Sequence, residues 1–591
     1  MRIGARDAVL VAGDAPLLAA AGDVLAADGV QVWRRPDLTR TGIPRQVSLV
    51  LLAEGDDLER QLAQVQAAGR GRSRPLRVVV VRQPAAAGVP GADGSIADRI
   101  DQAAAQTDLR LEWLDPDRAA ARLLLARWPL HRAMDPPAEQ RPHVLVAGFG
   151  PFARVFFLHT LRIGQYGERP PLVTLAAEQP DLWGEWIATN HPQADACAEL
   201  RYTGLPTPDF GAEWPLTTVA VCGRPPEPAL ALARSLIAQA AEQGASPPVL
   251  LVADGVGPDG WPQGALSDWD GQLVPVAPRR LAFSREVLLE GRDDALAEVV
   301  HEHYRDTSAA QGRDPAAAPS GRPWPMLGTS YRDANRHQAD HLWAKLAVTD
   351  CRAVPEELVE SFAFAPAEVE RLAIIEHRRW AVERWLDGWR YGPQRDNAQK
   401  LHPQLIPYAD LTDAMQDLDR FAVRLVPALL ARSGLAVVRR LVVGVCGGGA
   451  EMSQTVLRDG ARLVLRRLMA RYPDRGLTLA VDPSDAAARD IAADAVKRFG
   501  VGLFLLLPVP LPRLLAAQPP AGRLAVLDLL GAAERRIQLA GDAAVAQWRA
   551  RRAEVLFALG EDGAVPAGGV EPPAKRVHLS EHGQAHWNFE Y

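Results

Sequence analysis

Short, nearly continuous apolar runs punctuate the first 135 residues, at Ala8–Ala12, Val30–Trp33, Ser48–Leu52, Arg77–Val81 and Arg110–Leu114. Runs of this length without polar alternation suit parallel strands covered on both faces. Ala- and Leu-rich stretches lie between several of them and predict crossover helices, hence βαβ units. The alternation resumes at Val144–Ala147, Leu172–Leu175, Thr218–Val221 and Val249–Ala253, and again at Leu441–Val445, Leu477–Val481 and Gly502–Leu507. Between these blocks the pattern breaks. Asp135-Pro136-Pro137 reads as a linker. Asp306–Pro325 is rich in Ala, Gly, Pro and Ser without periodicity and predicts a flexible one. From Gly560 the chain turns Gly/Pro-rich and then polar, which predicts an extended tail.

The expected fold is multidomain α/β, with Rossmann-like parallel-sheet domains and one small, mainly helical domain. The boundaries read as 1–135, 140–305, a linker at 306–330, the helical domain at 331–435, a last α/β domain at 436–560, and a tail at 561–591. A chain of 591 residues is long enough for several such cores.

Composition narrows the function classes. The formal charge of −6 shows no basic excess of the kind a nucleic-acid binder carries. Cys197, Cys222, Cys351 and Cys446 are scattered, with no C-x-x-C pair, which predicts neither a disulfide framework nor a structural zinc. Asp14 and Asp23 interrupt the N-terminal apolar run, and Val501–Leu511 is short and holds Pro508 and Pro510. Neither suits a leader or a membrane span, so a cytoplasmic protein without membrane insertion is expected.

Three places carry candidate chemistry. After Val11 the first domain reads Ala12-Gly13-Asp14-Ala15, which is not a full phosphate loop, and a structural or partner-facing role is expected there. The second domain does better. Gly148, Gly150 and Ala153 spell G-x-G-x-x-A directly after a strand and at a helix start. The first glycine permits a tight turn, the second lets backbone approach a pyrophosphate, and the small third residue lets helix and strand pack closely. The stretch Val144–Ala177 resembles the TrkA N-terminal nucleotide-binding domain of potassium-transport regulators. That resemblance implies NAD or another adenine nucleotide. The family ends its second strand in a ribose-holding acid. Here Leu172–Leu175 is followed by Ala176-Ala177, and the nearest carboxylate is Glu178. No hydride-transfer machinery stands nearby, so reversible binding is expected and no catalytic residue is assigned.

The densest chemistry lies at 376–411. Glu376-His377-Arg378-Arg379-Trp380 leads through Gly388-Trp389 and Tyr391-Gly392-Pro393 to Arg395-Asp396, Lys400, His402-Pro403, Leu405 and Tyr408. Gly388 suits the end of a helix that carries Trp380. An aromatic cleft of Trp380, Trp389, Tyr391 and Tyr408, edged by Arg395, Lys400 and His402, suits a nucleotide-like anion. The bland alternative makes the tryptophans core and lets Arg395–Asp396 lock a loop. His377 beside Glu376 has no third ligand at a sensible spacing, so no metal is expected. This block resembles the repeat domain of ryanodine receptor calcium channels. Asn335, Ala339-Asp340-His341 and Lys345-Leu346 upstream are consistent with the stand-alone bacterial forms. The resemblance implies a small helical domain with a binding or regulatory task.

In the last α/β domain Gly447, Gly448 and Gly449 follow a strand and could present backbone amides to phosphate. With the Asp485/Ala486/Arg489 helix start and the Pro508 end of the third strand, the order resembles the SLOG superfamily. Its enzymatic members imply N-glycosidic hydrolysis, roles that Glu451 and Arg489 fit only loosely. The resulting expectation is a sensor of nucleotide-like ligands, in nucleotide signalling, anti-phage defence or ion homeostasis, as a homo-oligomer or with an effector partner. A nucleotide-processing enzyme and a scaffold with relic sites are the alternatives.

Overall fold

A computed structural model describes the chain apart from residues 1–7, 37, 39–42, 56, 70–71, 73–75, 83–99, 102–108, 212, 254–270, 357–361, 448–452, 560–574, 581 and 590–591. Its first sheet holds β1 (Ala8–Ala12), β2 (Gln31–Arg35), β3 (Val47–Ala53), β4 (Arg77–Val81) and β5 (Arg110–Leu114). They run parallel in the order β2-β1-β3-β4-β5. β1 and β4 are almost wholly buried, as their unbroken apolar runs require.

The second sheet holds β6 (His143–Ala147), β7 (Leu172–Ala177), β8 (Glu199–Gly204), β9 (Thr218–Val221), β10 (Val249–Val252) and β11 (Leu273–Val276). Its order, β8-β7-β6-β9-β10-β11, is the 3-2-1-4-5-6 arrangement of a doubly wound Rossmann-like domain. The order reverses between β6 and β9, where such sheets open a crevice beyond their carboxyl ends.

The remaining strands lie beyond residue 350. β12 (Cys351–Pro355) comes first, and β13 (Arg390–Tyr391) and β14 (Leu401–His402) form a two-stranded ladder. The third sheet is built on β15 (Leu435–Cys446), β16 (Arg475–Val481), β17 (Gly502–Leu507), β18 (Arg535–Gln538), β19 (Val555–Leu559), β20 (Lys575–Leu579) and β21 (Ala585–Trp587). Its order is β18-β17-β16-β15-β19-β20-β21. β15 serves three partners along its length, β19 taking Val443–Cys446. Leu435–Arg439 pair antiparallel with β12, and Arg439–Gly444 pair parallel with β16.

Several sequence expectations change here. The chain from 306 to 330 is not a structureless linker. A helix runs from Ala295 to Ala310, three 3-10 turns follow, and Trp324 is buried against Ala297, Val300 and Leu429. The segment expected as a tail contributes β20 and β21, because Val577 and Leu579 complete the core of the third sheet. The step from helical block to last sheet at 435–436 falls inside a continuous strand rather than at a linker. The Asp135 turn is pinned as well: its carboxylate takes Arg535 at 3.0 Å, Arg552 at 3.3 Å and the Trp548 indole N–H.

One apolar core crosses these units. Leu124, Phe157, Val173, Leu346, Leu372 and Val426 belong to a single cluster, so the first domain's last helix, the second sheet and the helical block pack as neighbours. Among the described residues no helix is long and apolar enough to cross a membrane.

Candidate functional site

At the switch point of the second sheet, β6 ends at Ala147 and the helix Pro151–Ile163 begins one turn later. Proline in the first helical turn costs nothing there, since that N–H has no intrahelical acceptor. Gly148 has φ +121°, and a Cβ on it would land on the Cys222 carbonyl oxygen. It is the close approach of the ends of β6 and β9 that demands glycine at this position. Gly150 differs. Its φ of 167° is open to any residue, and a Cβ there meets nothing within 4 Å. Ala153 is buried in the helix–sheet core, as a small third residue should be.

The surroundings supply Glu178, the carboxylate noted in the sequence, and two cations that sequence reading passed over. β7 runs to Ala177, two residues beyond the expected end, so Glu178 stands directly at the strand tip. Its carboxylate takes Arg224 at 3.0 Å. Arg154, on the first turn of the helix, lies 4.4 Å from the Phe149 ring and 5.4 Å from Trp186. The Trp183 indole donates to the Gly148 carbonyl at 3.2 Å. Arg154 and Arg224 carry no local sequence signal, because only the fold brings them to the turn.

The block expected as an aromatic cleft is organised on the helix Pro366–Leu386. Glu368 caps its start by accepting the Ala365 N–H at 2.7 Å, and Gly388 at φ +82° ends it. The rings then form a column. Tyr408 lies 5.9 Å from His377, His377 5.6 Å from Trp380, Trp380 4.9 Å from His402, and His402 6.0 Å from Trp389. Trp389 and His402 are buried, Trp380 is partly so, and Tyr391 is 57 % exposed outside the column. Polar tips are occupied: Trp389 donates to Asp387 at 2.9 Å, and the Tyr408 hydroxyl donates to Glu370 at 3.1 Å. His377 faces the Ile406 carbonyl at 2.9 Å and Asp419 at 3.2 Å.

The cations do not crown this column. Arg395 is exposed and donates to Asn397 at 2.9 Å, though it is near enough to join burial in lowering the pKa of His402. Lys400, at φ +53°, donates to the Asp387 carbonyl at 2.7 Å. Beneath the column lies a buried ion network. Glu376 takes Lys345 at 2.7 Å and Arg379 at 2.9 Å, and Arg379 reaches Glu383 at 2.8 Å. Burial alone would raise the Glu376 pKa, but Arg379 and Lys345 together hold it well below the usual carboxylate range. Lys345 also donates to His341 Nδ1 at 3.2 Å, and His341 Nε2 donates to the Gln165 carbonyl at 2.8 Å. The network thus fastens this helix to the second sheet's domain.

Residues 365–439 match the family model for the RyR domain. The chain carries a RyR domain. The match starts at the cap of the long helix, 34 residues after the start at 331 read from the sequence, and ends inside β15. Asn335, Asp340 and Lys345 therefore precede the matched RyR segment, while Lys345 still anchors it through Glu376.

In the third sheet, Gly447 follows β15, and a Cβ on it would sit 2.6 Å from Asp485 Oδ2. That carboxylate caps the helix Ala486–Phe499 through the N–H groups of Ala487 and Ala488. An acid therefore crowds the turn where an anion was expected. Arg489 is buried and holds the Pro483 carbonyl at 2.7 Å and Gln518 at 3.0 Å. Gly448, Gly449 and Glu451 lie outside the described residues.

Proposed function

We propose that this chain is a ligand-responsive regulatory protein whose central domain binds NAD or another adenine nucleotide at the Gly148–Ala153 turn. Support comes above all from Gly150. It stands at the switch point of a 3-2-1-4-5-6 sheet, at a helix N-terminus, with open space where a side chain would project. Glu178 at the tip of β7 occupies the place of a ribose-binding acid, and Arg154 and Arg224 supply cations beside the turn. The helix that starts at this turn packs against the long helix of the RyR domain. Occupancy of the turn can therefore bias the RyR domain's position without a separate relay. The tightly packed aromatic column favours a regulatory body for the RyR domain over an aromatic ligand cleft.

Calorimetric titration of the full chain with NAD, ADP-ribose and ATP tests the reading. Saturable one-site binding of at least one of them is expected. Absence of heat with all three at millimolar concentration contradicts it.

A further inference from the structure

The cleft at the far end of the same helix carries a second, independent signal. It encloses about 560 Å³, the size of a small-molecule site. Four units build it: Asp115 and Arg118 from the first domain, His159 and Arg162 from the end of the Pro151–Ile163 helix, His337 from the helix Thr329–Asp340, and Arg384 and Lys400 from the RyR domain. Arg162 stands twelve residues after Gly150, or roughly 18 Å along the helix, so this is not the crevice of the glycine turn.

The charges around this cleft are almost all matched, and the mismatch is informative. Asp115 is taken by Arg82 at 2.6 Å, Asp333 by Arg118 at 2.9 Å, and Glu383 by Arg379 at 2.8 Å. Asp387 holds Lys400 at 3.4 Å, Asp293 lies 3.9 Å from Arg122, and Asp101 accepts from Thr329 at 2.9 Å. Arg162 has no such partner. Among the described residues it makes no ion pair or hydrogen bond, and its Nε is buried without an acceptor. Burial, with Arg118 nearby, pushes its pKa down to about 10 although Glu383 pulls the other way. Arg384 likewise pairs with no carboxylate among the described residues and lies 5.7 Å over the Trp389 ring.

Two imidazoles repeat the pattern. His159 and His337 are 4 % and 6 % exposed, with ring centroids 6.2 Å apart. Among the described residues His159 Nε2 and His337 Nδ1 have no hydrogen-bond partner, and Asp340 lies 3.6 Å from the former. A guanidinium whose buried Nε lacks an acceptor and two ring nitrogens without partners, all lining one cleft, are costly unless something completes them. Placement of Arg162 in the last helical turn suits the helix dipole, but that does not supply hydrogen-bond partners for His159 and His337. A phosphate group supplies acceptors in several directions at once and suits a guanidinium above all.

We infer that this cleft between the central and RyR domains is a binding site for a phosphorylated small molecule, with Arg162 as its principal anion contact. Tyr331, 41 % exposed on the cleft wall, offers a ring face to the remainder of the ligand. Because both domains line the cleft, a ligand there draws the RyR domain and the central domain together.

Inorganic pyrophosphate is the probe, titrated by calorimetry into the full chain and into Arg162→Gln, Arg384→Gln and Gly150→Val. Arg162→Gln is expected to weaken binding about ten- to a hundredfold, the loss typical of a charge-assisted contact. Its melting temperature is expected to hold or rise, since an uncompensated charge is removed. Arg384→Gln is expected to weaken binding less, and it serves if Arg162→Gln does not fold. Gly150→Val, which blocks the glycine turn, is expected to retain the component of pyrophosphate binding that Arg162→Gln removes. No pyrophosphate binding by the wild type overturns the inference. So does equal affinity in both arginine variants, or a loss confined to Gly150→Val, which would place the anion at the glycine turn.

Discussion

The turn after β6 and the aromatic block of the RyR domain differ in what they do with their side chains. The turn has few chemical groups of its own, yet Gly150 faces open space and a strand-tip acid stands close by. The RyR block is rich in rings and cations, yet the rings pack on one another and their polar tips are already bonded. A dense cluster of ligand-like residues thus fills its own volume, while a sparse glycine turn leaves volume free. Room, more than the number of suitable groups, separates the two regions.

The sharpest way to break this contrast is through the ion network under the RyR helix. Glu376→Gln removes the anion that compensates buried Lys345 and Arg379, and it should destabilise the protein by about 3–5 kcal/mol in chemical denaturation. A change below 1 kcal/mol would mean that water reaches these cations and that the block is looser than described.

Trp389→Ala comes next. A closed column loses a buried indole and its bond to Asp387, at a cost of about 3 kcal/mol. Were the block an open ligand cleft, the same change would leave the melting temperature nearly unchanged.

Gly148→Ala probes the other region at its tightest point. The added methyl meets the Cys222 carbonyl at a backbone φ of +121°, so a loss of about 2 kcal/mol is expected. Unchanged stability would show that β6 and β9 can part at this end, and it would weaken the case for a preformed crevice.

Much of this architecture is legible in the sequence where strands are buried on both faces. β1, β4, β9 and β17 run between the residues that the apolar pattern marks. Exposed or charged strands escape that reading. β8 carries Glu199 and Arg201 at a sheet edge and lacks a continuous apolar run. β18 begins with Arg535 and Arg536, both buried, because Arg535 pairs with Asp135 four hundred residues earlier in the chain. No local pattern shows such a partner. Likewise β15 is more than twice the length of its apolar signature, since β12 extends it from outside the Rossmann-like sheet.

The candidate sites divide along the same line. Gly148, Gly150 and Ala153 are legible because their roles are local backbone geometry. Glu178 reads as misplaced until β7 is seen to reach Ala177. The rings at 380–408 are legible as a group, but whether they enclose space depends on how they stack, which composition does not encode. Arg162, His159 and His337 show nothing in sequence, since their significance lies in partners they lack.

The central claim rests on the space beside Gly150, and Gly150→Val tests it most directly. Valine accepts the extended backbone there and its Cβ meets no neighbour, so stability should stay within about 0.5 kcal/mol of the wild type. Calorimetry with the nucleotide that the wild type binds should then show binding lost in the variant while the melting temperature is kept. Equal nucleotide affinity in wild type and Gly150→Val would contradict the account and remove the glycine turn as the nucleotide site.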